Sequence, residues 1–349
     1  LEIPTTLEEY HDALVAFKEQ DANGNGDPND EIPLVYQNNQ MFGLYCLKGC
    51  FGFSYGTDMW HVDDEGKVQL TLVDPAMKDL YTMLHDWYEE GLLYTEVDNN
   101  GFSDMLALNR VGSQTLLALD NVMTNQGLAY DLCPEAEYVY IPLLDNDGYY
   151  NGHSVPQEEK QLDKRSGGYW GYFAVTADCQ DPELAVRWLD WVWGSQESED
   201  LRYWGIEGVT YDVVDGEKVF KESITTSPKG AISEMRALGG WPNFVGYENG
   251  EAFLAMFKGA YPEQAYDELS PYLKDQVPVL LGTPEEDEIY STYYADLETY
   301  IKESTVGFIT GTKSLDEWDA YVQTCDDMGL QEVLGVRQAW YDRYLSFAK

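Results

Sequence analysis

The amino-acid sequence predicts an α/β layered fold, and three observations support this prediction. Segments with the apolar pattern of short strands alternate along the chain with helical segments. The chain has 349 residues and 44% apolar content, enough to bury the core of one large or two medium domains. No run of eighteen apolar residues occurs, so no segment has the composition of a membrane-spanning helix.

The first elements have recognisable start signals. Thr6 and Glu9 have the spacing of a capping box, which predicts a helix from about Leu7 to Gln20. A loop rich in Asp, Asn and Gly follows at 21–30, and an extended stretch follows it at Ile32–Tyr36.

The next part of the chain predicts a hairpin and a helix. The turn sequence 64–66 lies between two strand-like stretches, 59–62 and 67–72. Asp74 and Pro75 then open a helix that ends at Gly91.

Short buried strands are predicted at 114–119 and 138–143, with a helix near 124–130 between them. A third strand, rich in aromatic residues and glycines, is predicted at 167–175.

The second half of the chain predicts mainly helices. One helix follows Asp181-Pro182, and the spacing of its apolar residues predicts that Leu184, Trp188, Trp191 and Val192 are core residues. From 216 to about 288 the pattern weakens into short helices and loops. A second capping-box pattern at 314–317 then starts a helix, Gly329 interrupts it, and 332–346 forms the last helix.

The charge excludes several classes of partner. There are 63 Asp and Glu residues against 21 Lys and Arg, which gives a formal charge of −42. Nucleic acid and anionic membrane surfaces would be repelled. The five cysteines are scattered and odd in number, so we expect buried thiols at Cys46 and Cys50 rather than a disulfide framework or a zinc site.

The sequence offers little that points to catalysis. It has four histidines, and none lies in a recognised nucleophile or metal motif. A pair of carboxylates at glycosidase separation will occur by chance among 63 acidic residues, so their number is weak evidence for an enzyme.

The loop after the first helix resembles the front half of an EF-hand calcium loop. Side-chain oxygens occur at its positions 1, 3 and 5, and a glycine at position 6 permits a sharp turn. Position 12 is Ile32, so an acidic residue at position 10 or 11 must close the shell. The alternative is a metal-free loop of Asx turns, but four carboxylates this close would repel one another without a cation. The predicted calcium ligands are Asp21, Asn23, Asn25, Asp27, Asp30 and Glu31.

Aromatic residues next to glycines or acidic residues are candidates for sugar binding. Sugars present flat C–H faces that stack on rings, while Asp, Glu and Asn oxygens bind their hydroxyl groups. Glycines at 167, 168 and 171 permit close approach of a ligand to the neighbouring rings. The predicted ligand-binding residues are Trp170, Tyr169, Asp120, Asn121, Trp204, Glu207, Trp241, Tyr45 and Phe42.

Several stretches together resemble the extracellular solute-binding proteins of carbohydrate ABC importers, in particular the large lipoprotein type of Gram-positive bacteria. The resemblance covers nearly the whole chain. Its motifs are, in order, Ile3–Tyr10, Asp21–Pro33, Glu65–Val68, Trp87–Leu92, Asp181–Asp190, Trp204–Gly208, Phe308–Asp319 and Tyr341–Tyr344. Two departures occur: Leu7 stands where a Trp is usual, and the loop is one residue longer than its common form, which leaves the roles of Asp30 and Glu31 open.

The resemblance implies a two-lobed, periplasmic-binding-protein-like (type II) α/β fold that lacks the N-terminal part of the first lobe. Residues 1–168 would form the second lobe, 169–288 the remainder of the first, and 289–349 would return to the second. It further implies a lipid-anchored, extracellular, monomeric protein that passes an oligosaccharide to permease subunits. Trp170 and Tyr169 would lie on a segment that crosses between the lobes.

Three function classes therefore remain open from the sequence, the third of which is a structural or adhesive surface domain. The first is non-catalytic binding of an oligosaccharide in a cleft between lobes. The second is a glycan-active hydrolase or lyase that uses a pair of carboxylates.

Overall fold

The computed structural model describes most of the chain. The described ranges are 2–36, 41–55, 59–94, 104–115, 138–164, 173–240, 249–256, 261–275 and 282–347.

The first helix forms as predicted. Helix α1 (Leu7–Glu19) begins after Thr6, whose hydroxyl accepts a hydrogen bond from the Glu9 amide at 3.2 Å, while the Glu9 carboxylate accepts one from the Thr6 amide at 3.3 Å. This reciprocal pair satisfies two amides that the helix itself leaves without partners. Leu7 and Leu14, which lie on the same face two turns apart, are fully buried.

The predicted hairpin and the helix after it are also confirmed. Strands β2 (Trp60–Val62) and β3 (Val68–Leu70) pair antiparallel, after strand β1 (Ile32–Tyr36) and a 3₁₀ helix (Met41–Phe51). In helix α2 (Pro75–Glu89), the Asp74 carboxylate caps the first turn by accepting from the Ala76 amide at 2.9 Å. Trp87 and Tyr81 on this helix are core residues, as the sequence predicts.

Strand β1 and two later strands form a three-stranded parallel sheet. Strands β4 (Leu93–Tyr94) and β5 (Val111–Thr115) flank β1 in the order β4-β1-β5. Because all three strands run in the same direction, their carboxyl ends meet at one edge of the sheet. Of the predicted strand 114–119, residues 114 and 115 belong to β5, which begins at Val111, and 116–119 lie outside the described residues.

The prediction of a strand at 138–143 is wrong, since residues 138–144 form no ladder. Pro142 has no N–H to donate to one. The carbonyl of Leu143 instead accepts from the Lys160 ammonium at 3.2 Å, and that of Leu144 accepts from the Tyr55 hydroxyl. Of the predicted strand 167–175, only 173–175 are described, and they form none; the predicted helix near 124–130 lies outside the described residues.

The middle of the chain consists mainly of short elements, which the sequence predicts for 216–288. They are β6 (Leu162–Lys164), α3 (Pro182–Gly194), α4 (Gln196–Tyr203), β7 (Tyr211–Val214), β8 (Glu217–Phe220), α5 (Glu222–Thr225), α6 (Ala231–Ala237), α7 (Gly250–Met256), α8 (Tyr261–Leu269) and β9 (Leu273–Asp275). Strand β9 pairs parallel with β6, so the chain around 273 returns to the segment around 162. The hairpin β7–β8 is not among the elements predicted from the sequence. Its turn is Asp215-Gly216, a dipeptide typical of two-residue hairpin turns, and both residues have positive φ, 54° and 91°.

Three helices end the chain. The longest, α9 (Pro284–Thr310), was not predicted, although Thr283 and Glu286 form a capping box at its start. Ser314 caps a 3₁₀ turn by accepting from the Asp316 amide, and α10 (Trp318–Asp327) follows it. Gly329, at φ 98°, separates α10 from α11 (Leu330–Phe347), as predicted.

The described residues contain two main hydrophobic clusters. The larger combines residues between 7 and 144 with residues between 297 and 333. At its centre the Tyr81 and Phe308 rings stack at 6.0 Å, so α2 and α9 share one core. The second cluster contains only residues between 203 and 256.

The core prediction for α3 is wrong for three of its four residues. Val192 is buried, but Leu184, Trp188 and Trp191 are 61%, 52% and 41% exposed. Helical spacing identifies residues that share a face, but it cannot tell whether another element covers that face.

The described cysteines form no disulfide, as the sequence predicts, and of the two thiols predicted to be buried Cys50 is buried while Cys46 is partly exposed. Cys46, Cys50, Cys179 and Cys325 are free, and burial raises the pKa of Cys46 and of Cys50 to about 12. Within the described residues no helix has the length and apolar character to span a membrane.

Glu286 provides a pH-dependent anchor for α9. Its carboxylate accepts from the Arg343 guanidinium at 2.6 Å and from the Thr283 amide at 2.8 Å, and these hydrogen bonds lower its pKa in the folded protein. The stabilisation is therefore present above the unfolded pKa and is lost as pH falls through the folded one. We expect Glu286→Gln to lower the melting temperature at pH 7 and to have no effect near pH 2. An equal loss at both pH values in thermal melts would contradict this role.

Candidate functional site

The loop after α1 is held together by hydrogen bonds between its own side chains and its backbone amides. The Asn23 side-chain oxygen accepts from the Asn25 amide at 2.9 Å, and the Asn25 oxygen accepts from the Asp27 amide at 2.7 Å. An Asp21 carboxylate oxygen accepts from the Gly26 amide at 2.8 Å. Gly24 and Gly26 have φ of 69° and 92°, a region that favours glycine. The side-chain oxygens of Asp21, Asn23 and Asn25 thus accept from amides of the loop and fix its turns.

The two candidates for closing the loop differ in their contacts. The Asp30 carboxylate is 3.1 Å from the Arg110 guanidinium, which also donates to the Asp30 carbonyl. Glu31 accepts from the Asn23 amide at 3.1 Å, and no cation contacts it among the described residues. Arg110 lies 80 residues away in sequence, so no local pattern could have indicated its role.

The electrostatics of the loop fit a cation. Partial burial raises the pKa of Glu31, and the neighbouring Asp30 and Asp21 carboxylates raise it further. A positive ion between these groups would relieve both effects. However, the side-chain amide nitrogens of Asn23 and Asn25 donate to the Asp30 carboxylate. In the described ranges, no group of three His, Cys, Asp or Glu residues is placed to hold a metal ion. The donors that fit are therefore a mixture of carboxylate, side-chain amide and main-chain oxygens.

Three predicted ligand residues follow strands of the parallel sheet in the sequence. Phe42 lies in the 3₁₀ helix that follows β1, and Asp120 and Asn121 follow β5 in sequence. Ligands of open α/β sheets bind beyond the carboxyl ends of the strands. The Phe42 side chain, Asp120 and Asn121 lie outside the described residues, so their contacts are not defined.

Two predicted ligand-binding rings are core residues instead. Tyr45 is fully buried, and its hydroxyl is 3.0 Å from the Thr305 hydroxyl. Trp204 is 4% exposed and stacks on Phe220 with 4.7 Å between ring centroids. The prediction that these rings line a pocket is therefore wrong, because neither offers a face to a ligand in this structure.

The remaining predicted residues are Glu207, Tyr169, Trp170 and Trp241. Glu207 is exposed, on the turn that follows Trp204, so the carboxylate and the buried ring do not face one surface. Tyr169, Trp170 and Trp241 lie outside the described residues. Trp170 and Tyr169 belong to the connection between Lys164, the last residue of β6, and Phe173.

The four histidines do not converge on one site. His11 contacts Glu90 at 2.9 Å, and His153 contacts Asp79 at 2.7 Å. His61 contacts the Thr71 hydroxyl, and His85 contacts the Ile309 carbonyl. Among the described carboxyl groups, the one with a raised pKa is Glu31, which lies with Asp21 and Asp30 in the calcium-type loop.

No family model matches the chain. A curated relative is the fructooligosaccharide ABC transporter substrate-binding protein FusA of Streptococcus pneumoniae serotype 4, which is 24% identical across 99% of this chain. The chain spans 63% of the length of that relative.

Two solved structures show the same fold. The alginate-binding protein AlgQ2, crystallised without calcium ion, matches 98% of this chain with a TM-score of 0.73 at 22% identity, and the chain covers 69% of it. An EF-hand mutant of S. pneumoniae FusA in complex with fructo-nystose matches 99% of this chain with a TM-score of 0.69 at 20% identity, and the chain covers 70% of it.

The α/β fold of the periplasmic-binding-protein type is thus confirmed, and so is the coarser part of the resemblance, to solute-binding proteins of carbohydrate ABC importers. Over almost all of its length, this chain is similar to the substrate-binding proteins of ABC transporters for carbohydrates.

Proposed function

We propose that this chain is the ligand-binding part of an extracellular protein that binds an oligosaccharide without chemical turnover and delivers it to the permease of an ABC importer. The observation that carries the proposal is the match of 98–99% of the chain to solved structures of an alginate-binding protein and of a protein in complex with fructo-nystose. FusA, the curated relative, is named for fructooligosaccharide, but nothing in the described residues selects one sugar for this chain.

The proposed sugar site lies beyond the carboxyl edge of the sheet formed by β4, β1 and β5. The residues proposed to contact the sugar are Trp170, Tyr169, Asp120, Asn121, Trp241 and Phe42. Support comes from the parallel direction of the strands, from the positions of Phe42, Asp120 and Asn121 after strand ends in the sequence, and from the positions of Tyr169 and Trp170 on the segment after β6. Trp241 follows α6 and is proposed from its sequence alone. Rings would stack on sugar faces, while the Asp and Asn oxygens would accept from hydroxyl groups.

We also propose the lobe division 1–168 and 289–349 on one side and 169–288 on the other. The two hydrophobic clusters support it, because the larger one combines residues before 144 with residues after 297. The full-length protein would be a monomer anchored by lipid to the surface of a Gram-positive cell. The net charge of −42 disfavours nucleic-acid partners, which agrees with a place outside the cell.

A thermal-shift screen with oligosaccharides, followed by an assay for new reducing ends, tests this function. We expect one class of sugar to raise the melting temperature while its amount and length remain unchanged. The alternative, a glycan hydrolase or lyase, predicts loss of the sugar and new chain ends. Turnover at enzymatic rates would refute the binding proposal, and so would the absence of any stabilising sugar.

Calcium is proposed as a structural ion of the loop after α1. Asp21, Asn23, Asn25, the main-chain oxygen of Asp27, and Asp30 or Glu31 would hold it, and hard oxygen donors of this kind suit calcium. Glu31 is the better closing residue, because Arg110 already neutralises Asp30. The ion would cancel the repulsion between carboxylates and fix the link between α1 and β1.

Removal of calcium should destabilise the protein. Because an ion that binds only the native state stabilises it by mass action, a chelator should lower the melting temperature and added calcium should restore it. Asp21→Ala should abolish this response. Asp12→Ala, at an exposed position on α1 outside the loop, is the matched control and should retain it. If neither the chelator nor added calcium changes the melting temperature, the proposal that this loop binds calcium is wrong.

A further inference from the structure

One buried polar atom of the parallel sheet has no hydrogen-bond partner. Gln114 is the fourth of the five residues of β5, and its side-chain oxygen is buried where no donor of the described residues reaches it. Most buried polar atoms in proteins take part in a hydrogen bond, so an exception is a candidate contact for a ligand.

The pairing of the strands shows which face of the sheet Gln114 occupies. Gln114 lies opposite Val35 of β1, and Val35 lies opposite Tyr94 of β4, so the three residues form one row across the sheet. The preceding residue, Ser113, points to the other face, where its hydroxyl is 2.7 Å from that of Tyr10 on α1. Because side chains alternate along a strand, Gln114 points away from α1, one residue before the carboxyl end of β5. This is the end of the sheet at which the sugar is proposed to bind.

The surroundings of this row are apolar. Val35 belongs to a small hydrophobic cluster that also contains Ile32, Leu106 and Val111, and Tyr94 packs against it. In such surroundings a single added hydrogen bond is strong, because the local dielectric constant is low. The row therefore combines a partly buried ring, an aliphatic side chain and one acceptor, which suit the C–H faces and the hydroxyl groups of a sugar.

The chemistry of this atom and the charge of the chain indicate the class of sugar. An acceptor without a partner requires a donor, and sugar hydroxyl groups donate, whereas the carboxylate of an acidic sugar only accepts. The net charge of −42 also repels acidic sugars. Arg110, the cation just before the start of β5, is paired with Asp30 at 3.1 Å. These observations favour a neutral oligosaccharide.

We propose that Gln114 is a specificity-determining residue of the sugar site, and that its side-chain oxygen accepts a hydrogen bond from a hydroxyl group of a neutral oligosaccharide. This inference rests on the proposed function and adds to it a contact residue and the class of sugar.

Two variants of the full-length protein test the contact. Thermal shifts with neutral oligosaccharides, among them kestose and maltotriose, and with acidic fragments of alginate and polygalacturonate identify the sugar, and calorimetric titration then measures its affinity. We expect a neutral sugar to bind, and Gln114→Met to weaken it about tenfold, because the acceptor is lost. Gln114→Glu should stay within about threefold of the wild type, because a carboxyl oxygen accepts the same hydrogen bond.

The stability of the sugar-free protein separates a ligand contact from a structural role. Gln114→Met should leave the melting temperature unchanged or raise it, because an unsatisfied acceptor is replaced by an apolar side chain of similar shape. The matched control is Gln338→Met on α11. Gln338 accepts from the Val68 amide at 2.8 Å and donates to the Gly66 carbonyl at 3.1 Å, so its loss should lower the melting temperature by about 3 °C and leave the affinity for sugar unchanged.

Several results would overturn the proposal while the proposed function stands. These are wild-type affinity in Gln114→Met, a loss of stability in this variant like that of Gln338→Met, or preferential binding of an acidic sugar. A loss of affinity in Gln114→Glu equal to that in Gln114→Met would also overturn it, because the side-chain nitrogen would then be the contact. If no sugar of either class stabilises the protein, the proposed function itself is wrong and this inference fails with it.

Discussion

Trp170→Ala is expected to weaken sugar binding about thirtyfold without destabilising the protein. The proposal places this ring on the segment after β6, where it would stack on one face of the sugar. Loss of roughly 80 Å² of apolar contact at about 25 cal/mol per Å² costs about 2 kcal/mol, which corresponds to that factor. Calorimetric titration with a sugar from the thermal-shift screen measures the affinity, and a thermal melt measures the stability.

The control for this variant is a tryptophan of the core. Trp188, which the sequence suggests for that purpose, is unsuitable because it is exposed, whereas Trp87 is 2% exposed. Trp87→Ala should unfold the protein at lower temperature, and any loss of binding should follow unfolding. If Trp170→Ala melts early while the folded fraction binds normally, Trp170 is a core residue and its assignment to the sugar site is wrong.

Trp204→Ala is expected to destabilise the second hydrophobic cluster by about 3–5 kcal/mol, the range for large-to-small changes of buried aromatic residues. Trp204 stacks on Phe220 and lies edge-on to Tyr211 at 5.8 Å, so it holds the hairpin β7–β8 against α4. Backbone amides between 203 and 256 should exchange more than about a hundredfold faster. Hydrogen exchange followed by mass spectrometry resolves this segment from the larger cluster.

Trp191→Ala is the matched control, because it removes the same side chain from an exposed position of the neighbouring helix α3. Its effect should stay within about 0.5 kcal/mol. Unchanged exchange in Trp204→Ala would contradict the burial of this ring and would return it to the list of possible sugar-binding residues.

Elements with local signals could be predicted from the sequence. The capping box at Thr6 and Glu9 predicts α1 within one residue, and Asp74-Pro75 predicts α2, because side chains near each helix start satisfy its free amides. The same signal at Thr283 and Glu286 could have identified α9. It was missed because α9 carries charged and polar residues among its apolar ones, so its pattern is weak.

Features that depend on distant parts of the chain could not be predicted. The sequence around Tyr45 and Trp204 suggests ligand-binding rings, yet partners such as Thr305 and Phe220 bury them. The pairing of Asp30 with Arg110 and the exposure of Trp188 also depend on which elements meet in space. Composition and spacing describe one element, whereas burial depends on its neighbours.

The account as a whole is tested most directly by a crystal structure of the protein with an oligosaccharide from the screen. We predict intact sugar beyond the carboxyl ends of β1 and β5, with one ring stacked on Trp170 and hydroxyl groups bound by Asp120 or Asn121. Sugar bound elsewhere on the molecule, or a cleaved sugar beside a pair of carboxylates, would contradict the proposed function.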